Sequence, residues 1–183
     1  MQDANHLDIN LGKPQPSGLG GWLALPSIGL LVSPFIMAKM VYETYVPLMK
    51  MEVLTLLANT QLPSYNPRLL PVVGVELFIN IAFFLFTLAI IPQFFRKKAT
   101  APKLMVIWYA SAIAIQIVDG ILTAYVDPKT GIDPDLSKAI IKTTVIAFIW
   151  IPYFMQSVRV KNTFGQNAFS KTGATENIAA LPT

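Results

Sequence analysis

Four stretches of this chain run for roughly twenty residues with almost no charge, and lipid is the solvent that such stretches suit. A helix needs ~20 mostly apolar residues to cross ~30 Å of hydrocarbon, and it satisfies its own backbone groups on the way. The stretches run from about Gly21 to Met40, Pro71 to Phe95, Leu104 to Val126 and Ala139 to Gln156. They are too long for barrel strands, and they lack the alternation of a half-buried strand. The expected fold is an all-α integral membrane protein, with four transmembrane helices in an antiparallel bundle. Charged residues make up 13% of the 183 residues, about half the ~25% of an ordinary soluble domain. That balance argues against a soluble enzyme and against a nucleic-acid partner.

The side-chain inventory narrows the chemistry further. The chain has no cysteine and a single histidine, His6, in a polar leading segment. Thiolate metal sites, iron–sulfur clusters and histidine-rich metal sites are therefore outside its reach. No nucleophile–base pair or phosphate-binding loop stands out, so neither enzymatic activity nor a cofactor is expected.

Lys and Arg set the expected orientation, because basic residues collect in cytoplasmic loops. Lys13, Arg96, Lys97, Lys98, Lys103, Arg159, Lys161 and Lys171 fall on the side of the tails and the second loop. Lys50, Arg68, Lys129 and Lys138 fall on the other. Both termini are expected in the cytoplasm. Trp22, Trp108, Trp150 and Tyr153 would mark the inner boundary, and Tyr42, Tyr45, Tyr65 and Tyr125 the outer one.

This gives an N-terminal tail over 1–20, a transmembrane domain over 21–160 and a disordered C-terminal tail over 161–183. An outer loop lies at about 41–70. Within it Pro47 suits the opening of a short interfacial helix, with Glu52, Thr55 and Asn59 on its polar stripe. Asp133 and Pro134 read as the cap and first residue of the fourth span. Pro26 and Pro34 interrupt the first span, and each frees a carbonyl. An I-P-x-F string recurs at the inner ends of spans two and four, at Ile91–Phe94 and Ile151–Phe154.

Ionisable residues inside a span are costly and mark a site or a buried pair. Glu76 lies ~7 Å inside the outer end of span two and Asp119 ~9–12 Å inside span three. Lys142 enters span four ~6 Å from the same side. Glu76, Asn80 and Thr87 share one helical face, as do Gln116, Asp119 and Thr123, and again Lys138, Lys142 and Gln156. These stripes are expected to turn inward and form a polar cluster of Glu76, Asn80, Gln116, Asp119 and Lys142, with Lys142 neutralising one acid. Two readings stand for it: a network that fixes helix register, and a proton or cation site.

Gly20-Gly21-Trp22-Leu23 opens the first span, and Gly29 and Ser33-Pro34 follow. Glu76 and Asn80 open the second, and Phe95-Arg96-Lys97-Lys98 ends it. Trp150-Ile151-Pro152-Tyr153-Phe154 leads into Ser157-Val158-Arg159-Val160-Lys161-Asn162-Thr163-Phe164. In these residues the chain resembles the bacterial family called domain of unknown function 2569, from Gly20 to Phe164. The resemblance implies a small four-span protein of the bacterial inner membrane and assigns no activity. In the S-x-R-V-K-N-T-F string, Arg159, Lys161 and Asn162 are candidates for headgroup or partner contact at the cytoplasmic face.

The leading functional expectation is an accessory or scaffold subunit whose partners are the lipid bilayer and a larger membrane protein or a second copy of itself. The alternative is a small proton- or cation-coupled transporter built on Glu76 and Asp119.

Overall fold

The computed structural model describes residues 16–63, 65–128 and 134–165. Asp133, most of the expected N-terminal tail and residues 166–183 lie outside them. A single 3-10 turn (Gly21–Leu23) leads into α1 (Ala24–Leu48). Then follow α2 (Met51–Ala58), α3 (Leu69–Phe95), α4 (Ala101–Val126) and α5 (Pro134–Gln156). After an interruption at Ser157 the chain is helical again over 158–165. No strand occurs among the described residues. The four helices α1, α3, α4 and α5 are each long and apolar enough to cross a membrane. Pro134 does open α5, as its fixed φ favours.

Three boundaries differ from the sequence expectation. α1 continues past Met40 to Leu48 and takes in residues 41–48 of the expected outer loop. Pro47 therefore sits in the last turn of α1 instead of opening the interfacial helix, which starts at Met51 with Glu52 in its first turn. Residues 161–165 belong to the terminal helix, and Thr163 and Phe164 are buried, so the folded part extends beyond 160.

The prolines of α1 do not break it. Pro26 lies in the first turn, where no backbone N–H is required. Pro34 frees the carbonyl of Leu30, and the neighbouring Ser33 hydroxyl donates to that oxygen at 3.0 Å. The helix thus carries its own remedy beside its defect.

The turn from α3 to α4 is closed by a six-to-one and five-to-two pair of backbone bonds. Lys98 N–H reaches the Gln93 carbonyl and Lys97 N–H the Phe94 carbonyl, both at 3.0 Å. This is a Schellman stop, and it places Lys97 at φ 51°, a conformation usually left to glycine. Arg96, Lys97 and Lys98 there also face the negative end of the α3 dipole. The turn therefore combines a helix stop with a charge cluster.

α3 lies between α1 and α4, and α4 also packs along α5. The resulting core is confined to one end of the bundle, the end that carries residues 16 and 165. Leu23 of the 3-10 turn, Leu30 of α1, Ile90 and Phe94 of α3, and Met105 and Tyr109 of α4 are buried there. Phe154 of α5 and Phe164 of the terminal helix join them. The Phe94 ring is 6.3 Å from Phe154 and 5.3 Å from Phe164, so both I-P-x-F strings deliver their phenylalanine to this cluster. In lipid such a core holds by close packing, because apolar surface gains little by leaving hydrocarbon. Phe35, Phe78 and Phe148 are all more than 70% exposed and suit a lipid-facing surface. The opposite, distal end is packed more loosely.

Candidate functional site

The distal ends of α3 and α4 are tied together by the residues that start α3. The Asn66 amide donates to the Val126 carbonyl at 2.9 Å, and an Arg68 N–H donates to the Tyr125 carbonyl at 3.0 Å. These donors cap carbonyls that the end of α4 would otherwise leave open. The Arg68 guanidinium also lies 4.6 Å from the centre of the Tyr125 ring. Glu76 follows Leu69 by seven residues and Asp119 precedes Val126 by seven. At 1.5 Å per residue both carboxyl groups then sit ~10 Å from the tied ends, at one depth.

They meet in a cavity of about 270 Å³ between α1, α3 and α4. Glu76 and Asp119 are close enough to interact directly through their carboxyl groups. Asn80, Gln116, Thr44 and Tyr45 share the lining with apolar residues, and no described Lys or Arg belongs to it. One turn below Glu76, the Asn80 amide donates to the Glu76 carbonyl at 2.9 Å and to the Tyr45 hydroxyl at 3.3 Å. Tyr45 is 6% exposed, so α1 closes one wall of the pocket with a buried phenol. The Gln116 amide donates to the Thr143 hydroxyl of α5. Its Oε1 is buried and has no partner among the described residues.

Four of the five residues expected in the polar cluster, Glu76, Asn80, Gln116 and Asp119, therefore line one cavity. Lys142 does not. It is exposed, lines no part of the pocket and forms no ion pair with a described residue. The reason is rotational. Thr143 is the residue that faces Gln116, and its neighbour Lys142 is turned ~100° round the helix. Lys138, one turn before Lys142, is likewise outside, paired with Asp135 at 2.8 Å. The polar stripe of α5 thus faces outward. Lys39 is also at the surface, paired with Glu43 at 3.2 Å. Thr87 goes to a different place from Glu76 and Asn80. It is fully buried nearer the other end, where its hydroxyl accepts from the Trp108 indole N–H at 2.8 Å.

Sequence reasoning missed two participants. Tyr45 reads as an interfacial aromatic until α1 is seen to run to Leu48, which puts residue 45 inside a span. Thr143 has no sequence signal beyond being a hydroxyl in an apolar run.

The second candidate group occupies the other end of the bundle. The Arg159 guanidinium donates to the Gly20 carbonyl, the Thr163 hydroxyl to Gly18 O at 3.3 Å and the Asn162 amide to Pro16 O at 3.4 Å. The terminal helix therefore clasps the entry segment 16–21 by its backbone. Gly18 and Gly21 hold φ of 85° and 59° there, so the segment follows a path that favours glycine. Of the three residues expected to meet headgroups or a partner, Arg159 and Asn162 bind the chain itself, and Lys161 is exposed.

No curated protein and no solved structure matches the chain. A family described as "Protein of unknown function (DUF2569)" matches residues 16–165, the outer limits of the part that the structure describes. The clasped Gly20-Gly21-Trp22-Leu23 and S-x-R-V-K-N-T-F strings, the two acids and the four spans all fall within that match, and the chain belongs to the DUF2569 family.

Proposed function

We propose that the distal cavity binds a proton or a small cation, and that the protein couples this binding to transport. The observation that carries the reading is the meeting of Glu76 and Asp119 in a cavity with no basic side chain among the described residues that line it. Two carboxyl groups this close repel when both are charged, and the repulsion is relieved by a shared proton or by a bound cation. Asn80 ties α3 to Tyr45 of α1 one turn from Glu76, while Gln116 links the pocket to α5. The core closes the opposite end of the bundle, so the pocket would exchange its ligand through the distal side. Ion access from one side at a time is what a carrier needs. The basic bias of the tails and the α3–α4 turn supports an inner-membrane placement with both termini cytoplasmic.

The test is proton or sodium flux into vesicles that contain the full-length protein. Wild-type protein is expected to collapse an imposed gradient faster than empty vesicles do. Glu76→Gln and Asp119→Asn are expected to return the rate to that of empty vesicles without lowering the melting temperature. Equal flux from wild type and both variants would remove the reading.

An accessory or scaffold role is the competing proposal, and α2 is the feature that favours it. That helix buries none of its residues, and Met51 and Leu56 stand 77% and 58% exposed. A larger membrane protein recovered stoichiometrically from native membranes, and lost on Leu56→Glu, would support it.

A further inference from the structure

The clasp leaves a recess beside it with a chemistry of its own. It measures about 300 Å³ and is lined by Pro16, Gly21, Trp22, Tyr153, Ser157 and Arg159, with Val158 at its edge. We propose that this recess binds the phosphodiester headgroup of an anionic phospholipid, in the leaflet at the end that carries both clasped segments.

Three observations point the same way. Arg159 is half-buried, yet among the described residues it forms no ion pair with a carboxylate, and its one hydrogen-bond acceptor there is the Gly20 carbonyl. A guanidinium has five N–H donors in a planar fork that matches phosphate oxygens. Most of its donors are therefore still to be used. Next, the Tyr153 hydroxyl is buried and has no hydrogen-bond partner among the described residues. Buried phenols almost always have one, and Tyr153 lines the same recess as Arg159. A phosphate oxygen would accept from both. Finally, Trp22 is 69% exposed and Val158 54% exposed beside the recess. An indole at that level is typical of the headgroup boundary, and an apolar flank suits the acyl chains. Lys161, exposed on the same terminal helix, adds a second positive charge for an anionic surface.

Phosphate chemistry alone does not separate a lipid from free phosphate, but the apolar flank commits the site to a lipid. The experiment is native mass spectrometry of the full chain released from micelles of mixed phosphatidylglycerol and phosphatidylcholine. Wild-type protein is expected to retain phosphatidylglycerol in preference to phosphatidylcholine, and excess inorganic phosphate should leave that adduct intact. Tyr153→Phe removes only the unpartnered hydroxyl, so it should weaken retention about tenfold while the melting temperature holds. Arg159→Gln should abolish retention and also loosen the clasp, which is why the tyrosine variant decides. Equal retention of the two lipids by wild type, or full retention by Tyr153→Phe, overturns the proposal. Displacement of the lipid by inorganic phosphate would overturn its lipid source.

Discussion

Gly21 shows how tightly one residue can be specified. Its φ of 59° favours glycine, and a Cβ built there would stand 2.6 Å from an Arg159 nitrogen. Gly21→Ala therefore meets a backbone penalty and a clash with the side chain that closes the clasp. Left-handed backbone alone costs an ordinary residue ~1–2 kcal/mol. The variant is expected to lose at least about that much stability, read as a lower melting temperature in detergent, whereas Gly29→Ala should be silent because nothing lies within 4 Å of its added Cβ. Glu76 and Asp119 are specified differently. Their cost in lipid makes them visible in the sequence, and opposite helix directions put them in one leaflet. Tyr45 and Thr143 are hidden by the same logic reversed. A phenol or a hydroxyl is cheap enough in a span to raise no flag, so only the observed contacts reveal their part.

At the scale of elements, the terminal helix is the segment whose role changed most. Its basic string suggests a surface for lipid or partner, and the structure uses most of it to hold the chain's own entry segment. Val160, Thr163 and Phe164 are buried by this packing. Phe164 sits on Phe94 with the rings 5.3 Å apart. Phe164→Ala should cost about 3 kcal/mol if the site closes only partly. It should also release residues 16–20, measured as faster cleavage there by limited proteolysis. Unchanged cleavage would mean that the clasp stands without its aromatic anchor. α5 teaches the complementary lesson. Length and composition identify it as a span, yet its hydrophobic pattern leaves open which side faces α4. The Gln116–Thr143 contact shows the rotation that is adopted, and with it Lys142 leaves the acid pair. A lysine at that depth has a long stem with which to reach the headgroups, so lipid exposure is tolerable.

The molecule as a whole is packed unevenly. One end holds an aromatic core and a backbone clasp, and the other holds a cavity with two acids. Such a division suits a protein that keeps one end rigid and lets the other exchange a ligand. Sidedness is open to direct test because the chain has no cysteine of its own. Asn59→Cys at the distal end and Thr100→Cys in the α3–α4 turn both replace exposed residues. In intact cells a membrane-impermeant maleimide should label position 59 at once, and position 100 only after permeabilisation. The reverse pattern would invert the orientation drawn from the basic residues. The four spans, their antiparallel order and the depth of the acids were legible in the sequence, because lipid imposes requirements of length and polarity on each segment separately. Helix rotation, the enclosure of Tyr45, the outward turn of Lys142 and the use of Arg159 as a clasp were decided only by tertiary structure. Each depends on which neighbour a face meets, and a helix that is apolar nearly all round does not encode that choice by itself.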